Sequence, residues 1–305
     1  MSATTFRAAV VRTPAGPDSI EIIAVPMVEP GPGQVRVRIA AAAVNPVDLG
    51  VAAGVFHGLG LVNQPNWTGL GWDFAGTVVA TGPGVDLAVG SRVAGLVAGF
   101  DRDYGTYAEQ VVVPVADVAV VPDGVDLITA STVPLNGLAA AQILDLLGDA
   151  PADGRRLLVT GAAGAVGGYL TVLAAERGWN VTGLAREHDE EFVRGLGADF
   201  TADAAPGWDA VADAGALQQA ALELVRDGGR FVGVQPSSQP PAERGVAVTA
   251  VVAHPDGTRL ADLLTRTASG QLPARVHAVV PLDQVADAHR AVAKGGVRGR
   301  YVLQP

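Results

Sequence analysis

The 305-residue sequence contains no cysteine. That excludes disulfides, thiolate zinc sites, iron–sulfur ligation and a cysteine nucleophile. It contains one lysine, Lys294, and the residues before it do not form G-x-x-x-x-G-K, so there is no P-loop. No tyrosine stands four positions before that lysine, so the Tyr/Lys pair of short-chain reductases is missing. None of the serines has glycine two positions away on both sides, which removes a nucleophile elbow. The five histidines (His57, His188, His254, His277, His289) show no i,i+4 pair and no metal-ligand spacing. No run of about 18 apolar residues exists, so no membrane span is expected. The first residues lack the apolar core of a signal peptide, and a cytoplasmic protein is expected. Basic residues are outnumbered, 21 against 31 acids, for a formal net charge of −10. That argues against nucleic acid or an anionic membrane as partner.

What is present is apolar and turn-rich. Hydrophobic residues make 49% of the chain, with 39 glycines and 20 prolines, which describes a folded protein with many tight turns. The length suggests two domains. Up to about residue 125 the chain reads as short β-branched strands: Arg7–Val11, Gln34–Ile39, Phe74–Thr81, Tyr107–Val113 and Val118–Val121. Clusters such as Glu29-Pro-Gly-Pro-Gly33 separate them, and the spacing suggests a barrel-like β domain. From about Leu127 helical and strand periods alternate. Ala130–Leu147, Val166–Arg177 and Asp189–Leu196 read as helices; Arg155–Thr160 and Asn180–Leu184 read as strands. Asp209–Asp213, Leu217–Val225 and Arg230–Val234 continue the alternation. The run predicts a parallel, doubly wound sheet. The tail reads as helix Leu260–Ser269, strand Val276–Val280, helix Asp283–Ala293 and a last strand Arg300–Leu303 that can rejoin the N-terminal domain.

The strongest chemical signal is Leu157-Leu-Val-Thr-Gly161-Ala-Ala-Gly164-Ala-Val-Gly167. Glycines between a strand and a helix allow a tight turn, and free N–H groups at the helix start face an anion. A pyrophosphate suits that geometry; a glycine-rich packing turn without ligand is the alternative. At the end of the next strand, Ala185 stands where an acid would hold a ribose 2′-hydroxyl, and Arg186 follows. A guanidinium suits a 2′-phosphate, which favours NADPH over NADH. An ordinary solvated Arg186 is the alternative, and Glu187 weakens the preference.

The chain resembles the medium-chain dehydrogenase/reductases, in their zinc-free quinone oxidoreductase (zeta-crystallin-like) branch. The resemblance rests on the shared order of Asn45-Pro-Val-Asp48, Gly71-Trp-Asp-Phe-Ala-Gly76, Gly90-Ser-Arg-Val93, Gly105-Thr-Tyr-Ala-Glu109, the Gly161–Gly167 turn, Gly228-Gly-Arg-Phe231 and Gly299-Arg-Tyr-Val-Leu303. Where alcohol-dehydrogenase relatives carry cysteine and histidine zinc ligands, this sequence has Asn45 and Trp72, so zinc-type alcohol oxidation is disfavoured. The resemblance implies an α/β fold: a GroES-like β-barrel-type domain over 1–124 and 272–305, and a Rossmann NADP(H) domain over 125–271. It implies hydride transfer from NADPH to a quinone or an α,β-unsaturated carbonyl. A dedicated enoyl reductase of a polyketide-type pathway and a non-catalytic NADPH-binding protein are the alternatives. Asn45 and Asp48 are the implied catalytic residues, with simple capping of a turn before a helix as the alternative. Implied cofactor contacts are Asn45, Thr132, Gly161, Ala163, Gly164, Ala165, Val166, Gly167, Arg186 and Val234. Phe56, His57, Trp67 and Trp72 are implied to line the substrate pocket, with core packing equally open for Trp72 and a plain loop role for His57. Tyr107 reads as core. A homodimer or homotetramer is expected, with no metal.

Overall fold

The computed structural model describes residues 5–152 and 155–305. They fall into two compact units, one of residues 5–135 with 255–305, the other of the described residues between 136 and 254.

The first unit is built on antiparallel strands. β1 (Thr5–Val11), β2 (Ile20–Pro26), β3 (Gln34–Ala43), β4 (Thr68–Gly69), β5 (Asp73–Thr81), β6 (Arg92–Leu96), β7 (Gln110–Pro114) and β8 (Val118–Val120) precede the second unit. β1 pairs with β2 and β4, while β3 pairs with both β5 and β7. Their inward residues, Val35, Val37, Ile39, Phe74, Val78, Val93 and Val111 among them, form one buried cluster with Leu70 and Tyr107. The expected strand from Tyr107 is divided. Tyr107 and Ala108 bond to Leu70, Ala9 and Ala8, and the ladder on β3 starts only at Gln110. Helices α1 (Pro46–Ala52) and α2 (Val55–Gly58) follow β3.

The expected helix 130–147 is two. α3 (Leu127–Ala130) ends before Val133, and α4 (Pro134–Leu147) starts afresh on its proline. Proline has no N–H to continue a helix but fits the first helical position.

The second unit holds β9 (Arg156–Thr160), α5 (Ala165–Glu176), β10 (Asn180–Leu184), α6 (Glu190–Gly195), β11 (Asp199–Thr201), β12 (Trp208–Asp213), α7 (Gln219–Leu222), β13 (Val225–Gly233) and β14 (Ala247–Ala250). All six strands run parallel in the order β11-β10-β9-β12-β13-β14. Numbered from β9 this is 3-2-1-4-5-6, the dinucleotide-binding order whose reversal falls between β9 and β12. Leu158, Val211, Phe231 and Trp208 fill one buried cluster of the unit. The expected helical stretch 217–225 shrinks to one turn, because Ala216 and Gln218 take positive φ, 55° and 57°, just before it.

The chain then returns to the first unit with α8 (Gly257–Ala268), β15 (Val276–Pro281), α9 (Val285–Ala293) and β16 (Arg300–Gln304). β16 pairs with β3, as the sequence suggests. A boundary at 272 would leave α8 with the Rossmann domain, yet its first residue packs on the other unit. A Cβ on Gly257 would lie 2.4 Å from the Val118 carbonyl oxygen and 2.5 Å from that of Ala116.

Candidate functional site

In the first unit, α1 opens on a buried polar network. Asn45 precedes the helix in extended backbone, and its N–H donates to Asp48 Oδ2 at 2.9 Å. That is one arm of a capping box. The Asp48 carboxylate also accepts from Tyr107 Oη at 2.8 Å and from the Gly71 N–H at 3.2 Å. It ties α1, the turn before β5 and the Tyr107 segment together. Asn45 Nδ2 donates to Asp73 Oδ2 at 2.8 Å, and the other oxygen of Asp73 accepts from the Leu135 N–H at 2.6 Å. Asn45, Asp48, Asp73 and Tyr107 are all fully buried.

Burial dominates the electrostatics. It raises Asp48 to about 6, against the lowering pull of the Asn45 N–H, the Tyr107 hydroxyl and the Arg102 charge. Burial also raises Asp73 to about 7, over the opposing bonds from Asn45 and Leu135; the Asp48 charge pushes the same way, and Arg300 opposes it. Tyr107 is driven well above its ordinary value by burial and by Asp48. Both carboxyls therefore bind protons more tightly folded than unfolded. The stability they contribute is fully present below about pH 4 and is lost as pH rises through 6 and 7. Asp73 alone should cost the fold about 2–3 kcal/mol between pH 5 and pH 8. Denaturant unfolding of wild type and Asp73→Asn at both pH values checks this. The variant should lose that part of the pH slope, whatever its absolute stability; an unchanged slope would show that Asp73 does not titrate there.

Beside the network lies an aromatic group. Phe56 stacks on Phe100, centroids 3.8 Å apart and planes at 18°, and Phe100 meets Trp72 at 5.3 Å. Trp72 is 7% exposed. Of the expected pocket residues, the structure joins Phe56 and Trp72 through Phe100. His57 is placed by Nε2, 3.1 Å from Thr68 Oγ1. Trp67 takes no part in the stack: its indole donates to the Asp103 carbonyl and its ring lies 5.0 Å from the Arg12 guanidinium. Thr132 is also in this unit, with its hydroxyl donating to the Thr129 carbonyl at 2.8 Å.

In the second unit the glycine turn sits at the reversal of strand order. Gly161 has φ 59°, and a Cβ there would come within 2.8 Å of the Gly215 backbone. A Cβ on Gly167 would lie 2.2 Å from the Gly161 carbonyl oxygen. So α5 packs directly on the turn. Gly164 caps α5 with no side chain and is exposed; Ala165 and Val166 form its half-buried first turn, whose N–H groups have no acceptor within the helix. Ala163 is buried behind them. The Ala162 N–H donates to the Leu184 carbonyl at 3.2 Å, which brings the end of β10 to the turn. Arg186 follows two residues later, exposed and in no ion pair among the described residues. Val234 is half-buried just past the end of β13. Thr160 Oγ1 donates to the buried Asp213 carboxylate at 2.5 Å, which also accepts from the N–H groups of Leu217 and Gln218. That carboxylate anchors the β12 end of the crevice. A groove lined by Arg156, Trp179, Asn180, Asp199 and Trp208 opens at the other, amino-terminal ends of these strands and contains none of the expected site residues.

Sequence reasoning gave no role to Asp73, Arg102 or Phe100, and read Tyr107 only as core. Asp73 lies inside the Gly71–Gly76 motif; the other two stand in a loop, Gly99–Gly105, with no pattern of its own.

Among the described residues, no helix is long and apolar enough to cross a membrane. Residues 31–123 match the family model of the alcohol dehydrogenase GroES-like domain, and 188–303 match that of a zinc-binding dehydrogenase. Together these span about two thirds of the chain. The chain is 33% identical over 303 residues to the pikromycin polyketide synthase component PikAII of Streptomyces venezuelae, which covers 90% of this chain and 8% of that protein. It is 34% identical over 180 residues to the trans-enoyl reductase pgmF of Aspergillus terreus, 57% of this chain and 49% of that one. The chain thus spans under half the length of these curated relatives. The quinone oxidoreductase of Coxiella burnetii has the same fold, with TM-score 0.84 and 23% identity over 99% of this chain and all of that one.

The second family model is described by zinc, and the residues here do not fit it. Trp72 has only an indole N–H, which has no lone pair to offer a metal. The Asn45 amide nitrogen is spent on Asp73. Among the described residues, no group of three or more His, Asp or Glu side chains could hold an ion. The glycine turn does fit a dinucleotide: it leaves no room for Cβ atoms and opens a helix start toward solvent. With both of its domain models matched and the parallel sheet in dinucleotide-binding order, the chain belongs to the medium-chain dehydrogenase/reductase superfamily and has the fold of its quinone oxidoreductases.

Proposed function

We propose that the protein is an NADPH-dependent reductase that delivers hydride to an α,β-unsaturated carbonyl compound without a metal. One observation supports the reading: the residues that the resemblance sets in the zinc-ligand places are an indole and a carboxamide engaged to Asp73, on a chain whose other domain keeps the open glycine turn. Such a site can reduce an acceptor that is already electrophilic; it cannot stabilise an alkoxide through a Lewis acid. The relatives, a polyketide synthase component and a trans-enoyl reductase among them, favour an enone. The flat rings of Phe56, Phe100 and Trp72 suit a conjugated acceptor and admit a quinone as second substrate.

The nicotinamide cofactor, when bound, supplies the hydride. The residues of the chain bind and orient. Gly161, Gly164, Ala165, Val166 and Gly167 would hold the pyrophosphate on backbone N–H groups, and Arg186 the 2′-phosphate. The family resemblance implies a polar role for Asn45, whose buried amide is engaged to Asp73. Asp48 and Asp73 fix it: one holds its backbone, the other its amide. Apolar rings around the acceptor exclude water and restrict its pose.

The test is NADPH oxidation at 340 nm against a cyclic enone, an enal and 9,10-phenanthrenequinone, each repeated with NADH, in wild type and Arg186→Ala. Turnover of enones with an NADPH preference is expected. The variant should lose about 1.5–3 kcal/mol of NADPH binding and keep its NADH affinity. No turnover with any acceptor would defeat the reductase reading; equal losses for both cofactors would defeat the 2′-phosphate reading.

A further inference from the structure

Arg102 lies between β6 and β7 with its guanidinium drawn inward. Nη1 donates to the Val97 carbonyl at 2.6 Å and Nη2 to the Gly71 carbonyl at 2.6 Å. Both carbonyls flank Trp72. Gly71 precedes it in sequence, and the Val97 N–H donates to the Trp72 carbonyl at 2.8 Å. The guanidinium carbon itself sits 5.6 Å from the centre of the Trp72 ring. One side chain thus grips the backbone on both sides of the indole and covers its face.

Among the described residues the charge forms no ion pair. Asp48, the carboxylate it feels, takes its hydrogen bonds from three other donors. Burial lowers the guanidinium to about 10, so it is charged at neutral pH. Two buried donors in the same place have no partner among the described residues, Arg102 Nε and Trp72 Nε1. A clamp needed only for folding has cheaper solutions, since burying a cation without a carboxylate carries a desolvation penalty. A guanidinium adds a planar fork for two carbonyls and a cation–π contact that fixes a ring plane. The ring so fixed is the one that leans on Phe100, which in turn stacks on Phe56.

We propose that Arg102 is a positioning residue for the acceptor: it locks the Trp72 indole in the orientation against which a flat, conjugated substrate lies. This rests on the reading above that Trp72 faces the acceptor. Arg102 does not touch the reacting atoms; it acts through Trp72.

The experiment is a titration of 9,10-phenanthrenequinone against the emission of Trp72, taken as wild type minus Trp72→Phe, with steady-state kinetics alongside. The expected result is that Arg102→Met raises the acceptor Kd by about 10-fold, roughly the worth of one desolvated cation–π contact. The same shift should appear in the acceptor KM, with kcat and the NADPH KM nearly unchanged. Arg102→Lys keeps the charge but loses the fork, and should fall between. Should Arg102→Met fail to fold, Arg102→Gln, which can still donate to one carbonyl, carries the same expectation. An acceptor Kd unchanged in the variants, or no quenching of Trp72 in wild type, would overturn the proposal. Equal changes in NADPH and acceptor binding would reduce Arg102 to a structural clamp and overturn it too. Wild type that binds the acceptor on Trp72 but never oxidises NADPH defeats the reductase reading and leaves this one standing.

Discussion

Replacing Asp48 with alanine should destabilise the protein by about 3–5 kcal/mol, the range for removing one partner from a buried charged network. The cost follows from what the carboxylate does. Three donors, the N–H groups of Asn45 and Gly71 and the hydroxyl of Tyr107, end on its two oxygens, and none of the four residues meets solvent to compensate. Each buried donor left without an acceptor costs about 1–3 kcal/mol. Relief of the buried charge returns part of that, which is why the sum is not larger. Arg102 would also lose the carboxylate nearest in its field. Asp48→Asn keeps one carbonyl for these donors and should cost less, while Tyr107→Phe removes a donor rather than an acceptor and should cost least. Denaturant unfolding of the three variants measures the order. A loss under about 1 kcal/mol for the alanine variant would mean that the donors find other acceptors, and the network would not be the anchor of α1.

Such a network could not be read from the sequence. Asn45 and Asp48 were legible because a capping box is local: the spacing of three residues is the geometry. The link from Asp48 to Tyr107 spans 59 residues, and that from Asn45 to Asp73 spans 28. Only closure of the antiparallel sheet brings them together. The strands themselves were plain where β-branched residues cluster, as in Gln34–Ile39 and Phe74–Thr81. β2 was not, because Ile20-Glu-Ile-Ile between two prolines alternates too briefly to stand out. The glycine turn was legible because its glycines and the contacts of Gly164 and Gly167 lie within seven residues, whereas Gly215 and Leu184, which also close on it, gave no local signal. Arg102 gave no signal: a lone arginine in a loop of aspartates and glycines reads as a solvated charge until Trp72 is placed beneath it.

The same locality makes Gly167 the sharpest test of the cofactor site. Gly167→Ala should lower NADPH affinity by about 100-fold, the scale of a misplacement near 1 Å at a site built on geometry. The added Cβ would stand 2.2 Å from the Gly161 carbonyl oxygen, 2.8 Å from its carbon and 2.9 Å from the Ala162 Cα. All three are backbone atoms, so no side chain can swing aside. α5 must move off the turn, and its first-turn N–H groups move with it. Overpacking of this kind also costs about 1–3 kcal/mol of stability. Gly164→Ala makes a graded control, because its Cβ would meet the same oxygen at 3.0 Å and needs only a small adjustment. Fluorescence titration of NADPH against both variants should therefore rank wild type, then Gly164→Ala, then Gly167→Ala, with NADH following the same order since the pyrophosphate is common to both. Arg186→Ala, by contrast, should separate the two cofactors. If Gly167→Ala binds NADPH as wild type does while unfolding more easily, the turn is a packing device and the dinucleotide lies elsewhere.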